Sequence, residues 1–100
     1  MDRNISFTFK ELVCLTTTID YGSFAGASKA MRLTAQAVSQ SVSKMEKALG
    51  IPLLERDGRS IKPTEAGLII YSKGKESISI AEGILRIAEQ FSEEKSNAEE

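Results

Sequence analysis

The 100 residues include 13 Lys/Arg and 14 Asp/Glu, with 41% hydrophobic and 27% charged, the make-up of one soluble globular domain or a domain plus an arm. There is no His and a single Cys, Cys14, which excludes an internal disulfide framework, Cys/His metal sites and histidine acid–base chemistry. No apolar run approaches a membrane span, and the opening MDRNISFTFK has no apolar signal core, so a cytoplasmic protein without metal or cofactor is expected.

The net charge of −1 hides an asymmetry. Residues 1–75 carry eleven Lys/Arg and seven Asp/Glu, whereas residues 76–100 carry two and seven. Between residues 29 and 62 the cations Lys29, Arg32, Lys44, Lys47, Arg56, Arg59 and Lys62 face only Glu46, Glu55 and Asp57. Such a local excess attracts phosphate even on a slightly acidic chain, the alternative being plain solvated surface.

A first helix opens on Thr8-Phe9-Lys10-Glu11, a capping-box pattern, with Phe7 and Leu12 placed for a hydrophobic staple. Phe9, Leu12, Val13, Leu15, Thr16 and Ile19 follow at helical spacing up to Asp20-Tyr21-Gly22, where glycine suits a left-handed cap. Cys14 lies among them and reads as an inert thiol, partly buried; Tyr21 and Tyr71 read as packing residues. Ser23 is positioned to cap a short second helix from Phe24 to Met31, burying Phe24, Ala27, Ala30 and Met31. Arg32-Leu33 makes a tight turn, and Thr34 caps a third helix from Ala35 to Leu49, closed by Gly50.

On that third helix, Val38, Val42, Met45 and Leu49 fall within a sector of about 60° at 100° per residue, and Gln36, Gln40, Ser43 and Lys47 fill a comparable sector opposite. Ser39 and Lys44 flank the polar side, which holds no acid. Two short helices joined tightly, the second with a polar outer face, form a helix-turn-helix. Asp57-Gly58 between Leu53-Leu54-Glu55-Arg56 and Arg59-Ser60-Ile61-Lys62-Pro63 is a hairpin signal, giving a small basic wing.

Thr64 caps a long fourth helix from Glu65 to about Phe91. Ile80, Ile84, Ile87 and Phe91 form one row, with Ala81 and Ala88 beside it and Ile78 and Leu85 beyond. That arc is wider than the stripe one core needs, so a second helix is expected to pack there. The alternative is a helix folded back on its own domain. The domain plan is therefore a DNA-binding unit over residues 1–63, with its helix-turn-helix at about 24–43, a dimerisation helix over 64–92, and a disordered tail over 93–100.

The ordered motifs Gly22-Ser23-Phe24, Ala27, Ala37-Val38-Ser39, Met45-Glu46, Leu49-Gly50-Ile51-Pro52-Leu53-Leu54-Glu55-Arg56 and Thr64-Glu65-Ala66-Gly67 resemble the N-terminal DNA-binding domain of LysR-type transcriptional regulators. The resemblance implies a mainly α winged helix-turn-helix and a linker helix that pairs two chains, and a small-molecule effector only where a further C-terminal domain exists. The sequence departs from the family at Thr34-Ala35-Gln36, where Ser-Gln is common. Ala35 cannot make the amide contact that Gln makes in many relatives, and Gln36 stands one position later. Ala27-Ser28 stands for Ala-Ala, and Leu54 for a usual Phe.

The chemistry expected is sequence-specific binding of double-stranded DNA by a homodimer, without turnover. Gln36, Gln40 and Ser43 are the base-reading candidates, since glutamine suits adenine and a hydroxyl serves as donor or acceptor. Ser23, Lys29, Thr34, Ser39, Lys44, Lys47, Arg56, Arg59 and Lys62 are the phosphate candidates, with Lys10 and Lys73 as weaker additions and Arg59 placed to enter a minor groove. The expected dimer interface is Ile78, Ile80, Ala81, Ile84, Leu85, Ile87, Ala88 and Phe91. A competing expectation is an antagonist module that binds another regulator through the long helix.

Overall fold

The computed structural model describes residues 4–58 and 60–99, with side chains as far as Glu93. Elements follow in the order α1 (Phe9–Tyr21), α2 (Phe24–Met31), α3 (Ala35–Leu49), β1 (Leu54–Asp57), β2 (Ser60–Pro63) and α4 (Glu65–Glu99). Each helix start is set by a side-chain cap. Thr8 Oγ1 accepts from Glu11 N at 3.0 Å while Glu11 accepts from Thr8 N at 3.1 Å, completing the capping box. Ser23 accepts from Gly26 N at 2.9 Å, Thr34 from Ala37 N and Thr64 from Gly67 N, both at 3.0 Å.

The helix ends are equally local. Gly22 and Gly50 sit left-handed at φ 73° and 74° and close α1 and α3 through bonds to Thr18 O and Glu46 O, both 2.8 Å. The cap of α2 is Arg32 at φ 56°, where a non-glycine residue costs about 1 kcal/mol. A Leu33 N–H bond to Ser28 O at 3.0 Å holds that turn.

The core is formed where α1, α2 and α3 meet, from Leu12, Cys14, Leu15, Ala27, Val38, Val42 and Met45, with Leu53 entering from the loop before the hairpin. Cys14 is fully buried rather than partly so. Phe9 opens the apolar series of α1 yet stands 51% exposed, and Ala30 is exposed where burial was expected. A first-turn Phe9 lies at the end of its helix, and α2 is too short to cover its last turn with a second layer. Phe24 and Met31 are half-buried against the core.

The strands pair antiparallel from Leu54↔Pro63 to Asp57↔Ser60, and Gly58 at φ 64° supplies the left-handed turn residue. Arg59, the expected tip cation, lies outside the described residues. α4 packs its first turns on α1 and then extends beyond the body, giving a longest dimension of 58 Å. Its backbone is helical to Glu99, past the expected boundary near Phe91 and through the segment expected to be a disordered tail. Ser92–Glu99 contains neither Gly nor Pro and several strong helix formers, so no local signal stops it. No helix among the described residues is long and apolar enough to cross a membrane.

A polar anchor fixes α4 to the end of α1. Tyr71 and Lys75 both donate to the Asp20 carboxylate, Lys75 at 2.9 Å. Partial burial works against the ionised Asp20, but the bonds from Tyr71 and Lys75 outweigh it and hold its pKa below the ordinary 3.8. The bond to Asp20 raises Tyr71 and Lys75 above 10.0 and 10.5. A depressed carboxylate stabilises the fold above its unfolded pKa and loses that contribution as pH falls through the folded one; the two raised groups lose theirs in strong alkali. Denaturant titrations are therefore expected to show stability falling more steeply below about pH 4 in the wild type than in Asp20→Asn. Parallel acid limbs would contradict this.

Candidate nucleic-acid interface

α3 presents two opposite sides. Val38, Val42 and Met45 are buried in the core, and Gln36, Gln40, Ser43, Lys44 and Lys47 are exposed. Ser39 is half-buried at the edge of the polar side. The exposed N-cap Thr34 spends its hydroxyl acceptor on Ala37 N, leaving the other amides of the first turn as an anion-attracting end.

The one acid on α3, Glu46, does not face outward with these groups. Its carboxylate accepts from Leu53 N at 2.7 Å and from Leu54 N at 3.2 Å. It thereby ties the last turns of α3 to the start of β1, and it removes a negative charge from the polar face. This role was not read from the sequence, although a lone acid near the C-terminal end of α3, where the helix dipole disfavours it, was a usable signal.

The hairpin is attached to α2 as well. Arg56 stands with its guanidinium 5.7 Å from the centre of the Phe24 ring. A cleft of about 270 Å³ opens between Ser23–Ala25 and the strands, bordered by Arg56, Gly58 and Ser60. Ser23 is half-buried and its oxygen caps α2; Lys29 is exposed in the last turn of that helix. Lys62 is exposed and ion-paired with Asp57 at 3.0 Å, a surface pair of small energy that leaves the ammonium accessible. Lys73 instead pairs with Glu76 on α4, and Lys10 is exposed on α1.

Along α4, Ile80, Ile84, Leu85, Ile87 and Phe91 are 54–67% exposed, and Ala88 is also exposed. Ile78 and Ala81 are half-buried where the helix leaves the body. Ile69, 66% exposed, continues the Ile80–Ile87 row at 100° per residue and was not singled out in the sequence. Among the described residues no group of three or more His, Cys, Asp or Glu is placed to hold a metal ion.

Residues 9–68 match the family model for bacterial regulatory helix-turn-helix proteins of the lysR family. The chain belongs to the LysR family. A probable RuBisCO transcriptional regulator of Synechocystis sp. is 34% identical over 88 residues, which cover 88% of this chain and 26% of that protein. The transcriptional activator AaeR of Escherichia coli is 39% identical over 62 residues, 62% of this chain and 20% of AaeR. The chain thus spans about a quarter or less of the length of these LysR-family relatives. Among solved structures, the BenM DBD in its complex with benA site 1 DNA superposes with a TM-score of 0.78 at 22% identity, covering 85% of this chain and 99% of that one. A mutant of Corynebacterium glutamicum OxyR gives a TM-score of 0.83 at 25% identity, covering 88% of this chain and 28% of that one. The LysR-family winged helix-turn-helix followed by a long helix is therefore the fold of this chain.

Proposed function

We propose that this chain binds double-stranded DNA sequence-specifically as a homodimer and acts as a transcriptional regulator of the LysR type, in the cytoplasm and without catalysis. The observation that carries this reading is the exposed, acid-free side of α3, set opposite a buried apolar side. Such a helix enters the major groove with its N-terminal end toward the base edges. Gln36, Gln40 and Ser43 then read bases. Ser23, Lys29, Thr34, Ser39, Lys44, Lys47, Arg56, Arg59 and Lys62 engage the sugar–phosphate backbone, which fixes register and makes binding salt-sensitive. A small-molecule effector belongs to this protein only through a further domain.

The reading is tested by selecting bound duplexes from a random pool and titrating them at two salt concentrations. Gln40→Ala is expected to lose about 1–3 kcal/mol of discrimination at a single base pair. An equal loss of affinity for every duplex would remove Gln40 from base reading.

The second copy covers the exposed row of α4, since isolated apolar surface of this extent calls for a partner. Ile84→Glu places a charge in that row and is expected to halve the sedimenting mass. An unchanged mass would remove the pairing through Ile78, Ile80, Ala81, Ile84, Leu85, Ile87, Ala88 and Phe91. The same row favours a second reading, in which α4 pairs with another regulator and antagonises it; salt-sensitive binding to DNA by the chain alone separates the first reading from the second.

A further inference from the structure

α4 seats on the body along a line marked by two buried glycines. A Cβ at Gly67 would stand 2.0 Å from Leu53 O, and one at Gly74 would stand 2.8 Å from Leu12 Cδ1. Seven residues apart, the two positions lie within about 20° of each other at 100° per residue. Such a line fixes how close α4 comes to the body, and leaves roll and sideways swing to be fixed by its flanks. The flanks differ. On one, Tyr71 and Lys75 stand about 40–100° from the line and both donate to Asp20, with the Lys75 ammonium also 5.8 Å from the centre of the Tyr71 ring. On the other, at comparable angles, Ile70, Ser77 and Lys73 border a groove of about 230 Å³ whose far wall includes Phe7, Leu12 and Leu49. The helix is therefore tied on one flank and has room on the other. No local benefit accounts for Asp20: it lies in the last turn of α1, where the helix dipole disfavours an acid, two residues before the Gly22 cap that turns the chain into α2.

We infer that Asp20 is a positioning residue for DNA recognition: by holding Tyr71 and Lys75 it sets the angle at which α4 leaves the body, and through that angle the spacing of the half-sites that two copies read. The inference rests on the homodimer paired through α4 and on α3 as its reading helix. With α4 as the shared axis, a swing of each body displaces the two copies of α3 relative to one another. On a duplex, one added base pair shifts a half-site by about 3.4 Å and turns it by about 35°. A tied body meets that change by straining the bonds to Asp20, whereas an untied one follows it by closing the groove. Asp20 touches no base in this role and selects spacing, not sequence.

The test takes a half-site selected from a random pool by the 100-residue chain and joins two copies of it through spacers that differ by one base pair. The wild type is expected to prefer one spacer. In Asp20→Ala that preference over the neighbouring spacers is expected to fall about fivefold, the upper worth of a partly exposed charged contact, while the preferences at each base pair within the half-site stay unchanged. Tyr71→Phe, which keeps the Lys75 bond, should fall between the two. Helix content is checked by circular dichroism, and Tyr71→Phe decides alone if Asp20→Ala does not fold. A folded variant with a spacer profile as steep as wild type, or a wild type indifferent to spacer, overturns the assignment of Asp20 while leaving α3 as the reading helix. So does a flattened profile that loses base preferences in step, the mark of general loosening. Failure of the wild type to select any half-site defeats the DNA-binding reading itself, and the role of Asp20 with it.

Discussion

Gly67→Ala is expected to destabilise the fold by about 3 kcal/mol, although the same change in an open helix interior gains up to about 1 kcal/mol. Gly67 is buried in the first turn of α4. A Cβ there would stand 2.0 Å from Leu53 O and 3.0 Å from Leu53 C. These are backbone atoms, so no rotamer change relieves the clash. They are also pinned, because Leu53 is a fully buried core residue and its carbonyl accepts from Thr64 N at 3.0 Å. Moving either element would loosen the cap of α4, whose Thr64 hydroxyl donates to Pro52 O at 2.8 Å. Urea unfolding of the variant measures the outcome. A stability equal to or above wild type would mean that α4 does not seat on Leu53 as closely as the geometry gives.

Glu46→Ala is expected to cost about 3 kcal/mol, since hydrogen bonds to a charged group contribute about 1.5–3 kcal/mol each and the two amides lose their shared acceptor. Leu53 N and Leu54 N would then need water in a partly buried loop. The loss reaches function through position: Glu46 joins α3 to β1, so releasing it frees the basic hairpin relative to the polar face of α3. The variant should therefore bind duplex more weakly at low salt in addition to unfolding earlier in urea. Glu46→Gln keeps one acceptor and should fall between the two. A Glu46→Ala chain with wild-type stability would leave the loop held by other contacts.

The four helices and the hairpin were legible because their signals are local. Thr8, Ser23, Thr34 and Thr64 cap the residues that follow them, and Gly22, Gly50 and Gly58 occupy the left-handed positions their neighbours require. The two sides of α3 were legible from periodicity alone, because Val38, Val42 and Met45 recur at helical spacing. What escaped depends on long-range contact. Glu46 reaches seven and eight residues ahead, and Asp20 meets Tyr71 and Lys75 more than fifty residues away, pairings that no local spacing encodes. The exposure of Ala30 and Phe9 escaped for a related reason: an apolar residue at a helix end is buried only when another element arrives to cover it. The continuation of α4 to Glu99 shows the converse, a helix that persists because nothing in its sequence stops it.

Amide chemical-shift mapping tests the recognition role of α3 most directly. With a duplex selected from a random pool, the largest changes are expected at Gln36, Gln40 and Ser43, accompanied by Arg56 and Lys62 on the hairpin, with the buried core residues little affected. Changes confined to the exposed row of α4, with the α3 resonances unmoved at saturating duplex, would contradict it.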